Sequence, residues 1–141
     1  MEAKEFAALA SRLSQASGSG PAAFRTAISR AYYAAFNVAV DVLDQIGSPA
    51  TTGPGAHREV ACCLMASKDD ILKTAGTYMD QLHTRRIQSD YRMNNTGVET
   101  RSAAVLACDT AHDIIGELEK LLADEKRCAV VRPEIGAYQQ A

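Results

Sequence analysis

Apolar residues recur along this chain at helical spacing, and no stretch alternates long enough to mark a strand. Phe6, Leu9, Ala10 and Leu13 form a first stripe, which SGSGP ends. Pro21 stands where a first helical turn tolerates proline, and the spacing predicts a second helix from about Pro21 to Ile46. GSPATTGPG is a loop by composition, and a short helix is predicted around His57 to Met65. Ser67 with Asp70 resembles a capping box that opens a longer helix to about Met93, with Gly76 as a break or kink within it. NNTGVE reads as a loop, and a last helix is predicted from Thr100 to about Glu125. RCAVVRPEIGAYQQA, from Arg127 onward, shows no periodicity and reads as a disordered tail or as a strap that docks a partner. The expected fold is all-α, an up-and-down bundle of four to five helices. It is a single domain over residues 1–126, with its core over about 20–125 and a C-terminal tail at 127–141. The alternative is a bundle completed only on dimerisation, and the few polar positions of the second helix favour the dimer.

Phase along the second helix puts Phe24, Ile28, Ala31, Ala35, Val38 and Val42 on one face. Arg25, Ser29, Tyr32, Phe36, Val40 and Leu43 share the next, while Arg30, Tyr33, Asn37, Asp41 and Asp44 form a third that looks to solvent. Arg25 and Ser29 thus head an apolar stripe, where a charge needs a partner, a wet cavity or a route to solvent. In the later helix Ile71, Ala75, Tyr78, Leu82, Ser89 and Met93 lie together, and Arg86 falls on their stripe. Asp90 follows Arg86 at i+4 and His83 precedes it at i−3. Two readings stand: an Arg86–Asp90 pair that fixes the register of the bundle, or an arginine held rigid to meet phosphate, which its planar fork suits.

Composition narrows the class. With 141 residues, 47% hydrophobic and 23% charged, the chain suits one globular domain. No apolar run approaches the roughly 20 residues that span a bilayer, the opening MEAKEFAALASRL lacks the apolar block of a signal peptide, and a cytoplasmic location is expected, with no membrane partner. A formal charge of −2 argues against coating nucleic acid by bulk charge. Residues 83 to 92 nevertheless gather His83, Arg85, Arg86 and Arg92 against Asp90 alone. The four cysteines, Cys62, Cys63, Cys108 and Cys128, form no C-x-x-C pair, so buried reduced thiols are expected and no metal site or cofactor is. Cys128, in the tail, is expected to be exposed.

AISRAYYAAF (27–36) followed by LHTRRIQSDY (82–91) resembles the HEPN superfamily of small helical domains, and within it the UPF0332-like group. The second motif reads here as Leu82, Arg86, Ser89, Asp90 and Tyr91, with serine where the group's pattern has alanine. GAHREV, with His57 after a glycine-rich loop, resembles the group's G-x-H turn. The likeness covers roughly residues 20 to 125. It implies an up-and-down bundle that forms a homodimer with a cleft between protomers. Many relatives are metal-independent ribonucleases of toxin–antitoxin or defence systems, and others are non-catalytic companions of a minimal nucleotidyltransferase. The nuclease members carry an arginine, a spacer of four to six residues and a histidine, whereas the window after Arg86 holds Tyr91, Arg92 and Met93.

Cleavage through the 2′-hydroxyl needs a base and an acid, which a histidine titrating near neutrality supplies. A tyrosine of ordinary pKa is a poor base, and arginine stabilises charge without shuttling protons. The expectation is therefore a dimeric HEPN-type accessory module that binds RNA, a nucleotide or a nucleotidyltransferase-like partner. The alternatives are a metal-independent endoribonuclease toxin, with Arg86, His83 and Tyr91 as candidate catalytic residues, and a purely structural interaction protein. Arg25, Ser29, Tyr32, Tyr33, Arg86 and Asp90 are the candidate ligand-binding residues, with one of the two adjacent tyrosines expected to pack in the core.

Overall fold

The structure is a computed structural model and describes residues 1–141. The chain is an all-helical bundle without strands. Its elements are α1 (Ala3–Gln15), α2 (Pro21–Gln45), α3 (Ala56–Ala66), α4 (Asp70–Tyr91), α5 (Arg101–Leu122) and α6 (Glu125–Gln140), with one 3-10 turn at Thr96–Val98. No helix is long and apolar enough to cross a membrane. The chain divides into two compact units, residues 1–35 with 81–112 and residues 36–80 with 113–141.

The first unit is packed on small side chains. Ala10, Ala27, Ala31, Ala34, Ala35 and Ala104 are fully buried, which lets helices approach closely around the larger Ile28 and Tyr32. In α1 the buried line is Ala7, Ala10 and Ser14, while Phe6, Leu9 and Leu13, expected to lead the stripe, are half-buried at its margins. Phe6 is covered by the Arg30 guanidinium, 4.9 Å from its ring centre. Glu2 and Glu5 close a reciprocal box at the start of α1. At its other end Arg101 donates to the carbonyls of Ser14 (2.6 Å) and Ala16 (3.1 Å), groups that a helix terminus leaves without partners.

The second unit is built on Leu43, Val60, Leu64, Leu72, Leu118 and Leu121, all buried. Asp69, rather than Ser67, caps α4: its Oδ1 accepts from the Leu72 amide at 3.1 Å, and Ser67 supports it by accepting the Asp69 amide at 3.0 Å. α4 runs unbroken through Gly76. A Cβ there would stand 2.9 Å from the Ala61 carbonyl oxygen, so this glycine serves close packing against α3 rather than a kink. The buried line of α4 is Leu72, Ala75, Met79, Leu82, Arg86 and Ser89, while Ile71, Tyr78 and Met93, expected on that face, are exposed. The expected stripe begins one residue early, and a single position rotates a helical face by about 100°.

The last expected helix ends at Leu122 instead of Glu125, because Asp124 accepts from the Arg127 amide at 3.0 Å and starts α6. The segment from Arg127, expected to lack regular structure, is therefore helical, and it packs on α3. It buries Cys128, Val131 and Ile135. Pro133 is tolerated inside α6 because Ala129, whose carbonyl loses its i+4 amide partner, is exposed to water. Arg132 Nε bonds the Ile46 carbonyl at 2.6 Å, and Glu134 accepts from the Ser67 hydroxyl (3.1 Å) and the Lys68 amide (3.0 Å). The Arg127 guanidinium forms a two-pronged pair with Asp69.

All four cysteines are free thiols. Cys128, expected to be exposed, is buried and donates to the Leu121 carbonyl at 3.0 Å. Burial, helped by neighbouring Glu59, pushes Cys63 up to about 12, and burial also pushes Cys108 up.

The Asp69–Arg127 pair carries a pH signature. The hydrogen bond from Arg127 holds the Asp69 carboxyl below its ordinary value. Its stabilising contribution is thus present above the unfolded-state value near pH 4 and is lost as pH falls through the lower folded value. Asp69→Asn keeps a capping side chain but removes the charge, and is expected to cost about 1–2 kcal/mol at neutral pH. Urea denaturation at neutral and acid pH checks this: the gap from wild type should narrow in acid, and an undiminished gap rules out the ion pair as its source.

Candidate functional site

The residues singled out in the first unit separate into two groups. Arg25 is buried at the carboxyl end of α4. Its Nε and Nη2 bond Glu99 Oε1 at 2.9 and 2.7 Å. Nη1 donates to the carbonyls of Gln88 (3.0 Å) and Ser89 (2.9 Å), and Nη2 also reaches Asn95 O at 2.9 Å. One guanidinium thus holds the last turn of α4 and the chain that leaves it, where a positive charge also suits the helix dipole. Its donors are all engaged within the chain, so in this arrangement Arg25 acts as a structural clasp and holds no free donor. Its counterion Glu99 is absent from the expected set. The only signal for it in the sequence is an acid placed after a turn, which does not name its partner.

Arg86 differs. It is 5% exposed, yet its contacts are weak: Asp90 Oδ2 lies 3.7 Å from Nη1, and His83 Nε2 lies 3.5 Å from Nη2. Its Nε is buried without a hydrogen-bond partner, and so is the Ser89 hydroxyl one turn on. These are the two such side-chain atoms in the chain, and each orphan of this kind costs about 1–3 kcal/mol. Three tyrosine rings surround the guanidinium, with centres 5.7 Å (Tyr32), 5.2 Å (Tyr33) and 5.8 Å (Tyr91) from its carbon. Tyr32 is fully buried, Tyr33 half-buried and Tyr91 open to solvent, so the cage runs from core to surface.

Asp90 is positioned from α2. The Ser29 hydroxyl donates to Asp90 Oδ2 at 3.1 Å, and Arg30 Nη2 donates to Ser29 at 3.3 Å. Ser29 is buried while the Asp90 side chain keeps 30% exposure, so this carboxylate forms the wet edge of the Arg86 cluster. His83 packs on Tyr32, ring centres 5.2 Å apart. Ser29, Tyr32, Tyr33, His83, Arg86, Asp90 and Tyr91 therefore come together, and Arg25 stands apart from them as a helix cap. His57 belongs to the second unit, where its ring lies 4.5 Å from that of Phe36. No group of His, Cys, Asp and Glu residues is arranged to hold a metal ion.

Chemically the cluster is a rigid cation with a poorly satisfied fork, aromatic faces and one partly exposed carboxylate. Such a fork suits an anionic, planar-faced ligand. Comparison of the chain with protein-family models, with curated proteins and with solved structures returned no match.

Proposed function

We propose that the chain is a HEPN-type accessory module, dimeric and cytoplasmic, which binds the phosphate and base of RNA or a nucleotide at the Arg86 cluster and serves beside a nucleotidyltransferase-like partner. The observation that carries this reading is the buried Arg86 guanidinium, unpartnered at Nε and enclosed by Tyr32, Tyr33 and Tyr91. A purely structural arginine at this depth would have its donors saturated, as those of Arg25 are. The cost of leaving Arg86 underbonded is understandable if a ligand that displaces the exposed Tyr91 ring supplies the missing acceptors.

Arg86→Met is the discriminating substitution. A weakly paired buried charge replaced by an apolar side chain of similar length is expected to leave stability unchanged or raise it by about 1 kcal/mol. The same change should weaken binding of a fluorescein-labelled single-stranded RNA, read by anisotropy at low salt, by about ten-fold, or 1.4 kcal/mol. Lys120→Ala, at an exposed position of α5, should bind as wild type does. Unaltered RNA and nucleotide binding in Arg86→Met would sink the reading.

A second reading, a metal-independent endoribonuclease, is favoured by one contact. His83 Nε2 lies 3.5 Å from Arg86 Nη2, on the turn before the arginine instead of after it. In that reading His83 would relay the proton of the 2′-hydroxyl while Arg86 met the phosphorane charge. Cleavage of the same RNA in EDTA, lost in His83→Gln, selects this reading; its absence selects the binding module.

A further inference from the structure

In the second unit α4 and α5 border a groove of about 390 Å³. We infer that this groove docks a basic amphipathic helix of another protein. Ile71 and Tyr78 stand at its side, 53% and 44% exposed, although both are large and largely apolar. They are seven residues apart on α4, two turns or about 10 Å, the interval at which a docked helix presents successive apolar anchors. Ala75 and Ile114 close the floor and are buried. The Thr74 hydroxyl is bonded to the Asp70 carbonyl at 2.8 Å, so the groove reads a ligand by apolar fit and not by a polar floor.

Its charged border selects the occupant. Asp70, Asp113 and Glu117 line the groove, and no cation does. Asp70 and Asp113 have no ion pair, and Glu117 pairs with the exposed Lys120, 3.3 Å away and weak enough to exchange, while its charge also acts on the Arg127 guanidinium that is already bound to Asp69. Carboxylates repel phosphate, so RNA and anionic membranes are poor occupants. A second copy meeting this face through the same face would set acids against acids, which disfavours self-association here. Lysines or arginines flanking two apolar residues seven apart satisfy both the border and the floor. This inference is independent of the Arg86 cluster.

The probe is a fluorescein-labelled peptide of about 14 residues, built of leucine on one helical face and lysine on the other. Anisotropy with the full chain is expected to give a micromolar Kd near physiological salt. Ile71→Ser combined with Tyr78→Ser should weaken binding by about ten-fold. Asp113→Asn combined with Glu117→Gln should do the same and flatten its salt dependence. All four positions border open solvent, and both variants should keep the wild-type helix content by circular dichroism. Absent binding, binding insensitive to these four positions, or equal binding of the peptide with glutamate in place of lysine overturns the proposal.

Discussion

Replacing Arg25 with alanine is expected to cost the fold about 3–5 kcal/mol, a third or more of the stability of an ordinary domain. The change strands the Glu99 carboxylate and takes one donor from each of the carbonyls of Gln88, Ser89, Arg92, Met93 and Asn95, of which Gln88 keeps the Arg92 amide. Five carbonyls lose a donor and one charge loses its counterion in a site where the guanidinium is nearly inaccessible to water. Arg25→Lys restores the charge but not the fork, since an ammonium on a flexible stem offers three donors from one point. It should recover only part of the loss. Urea denaturation followed by helical circular dichroism measures both variants. A cost under about 1 kcal/mol for Arg25→Ala would mean that water replaces the guanidinium at little expense.

Gly76→Val is expected to be comparably damaging, at about 3 kcal/mol or more, and Gly76→Ala to cost about 1–2 kcal/mol. Taken alone, alanine in a helix interior should gain nearly 1 kcal/mol over glycine. The gain is overridden because the new Cβ meets the Ala61 carbonyl oxygen at 2.9 Å, Leu64 Cβ at 3.0 Å and Met65 Cγ at 2.7 Å. The methionine can turn aside, but the carbonyl belongs to the backbone of α3, so the two helices must separate. Valine adds two methyl groups and a stiff χ1 to the same contact. Thermal denaturation ranks the three proteins, and an alanine variant more stable than wild type would refute the close-approach argument.

The helix breaks were legible in the sequence because their causes are local. SGSGP, GSPATTGPG and NNTGVE punctuate the chain by backbone chemistry that needs no partner. The phase of α4 was less legible: Ile71 and Leu72 are adjacent and equally apolar, and only packing assigns Leu72 to the core. α6 was hidden by Pro133 and by a buried line of only Cys128, Val131 and Ile135, whose periodicity is masked by the exposed Val130. At the candidate site the paired motifs pointed to Ser29, Tyr32, Tyr33, Arg86 and Asp90, and these do gather. The different duties of two buried arginines were not legible. Arg25 and Arg86 look alike in a helical projection, and they part only because Glu99 and a helix end, reached across 63 to 74 residues of chain, saturate one of them.

Buried thiols turn this protein into its own clock. Cys63, pushed up to about 12, and Cys108, also pushed up, are poor nucleophiles while their surroundings stay closed. An aromatic disulfide reagent added to the native chain should exhaust the half-buried Cys62 first. The slower reactions then time openings of the structure, because each buried sulfur must reach water before it reacts. Cys108 lies in the first unit and Cys63 and Cys128 in the second, so their rates, assigned by peptide mass, register local melting in each unit without any substitution.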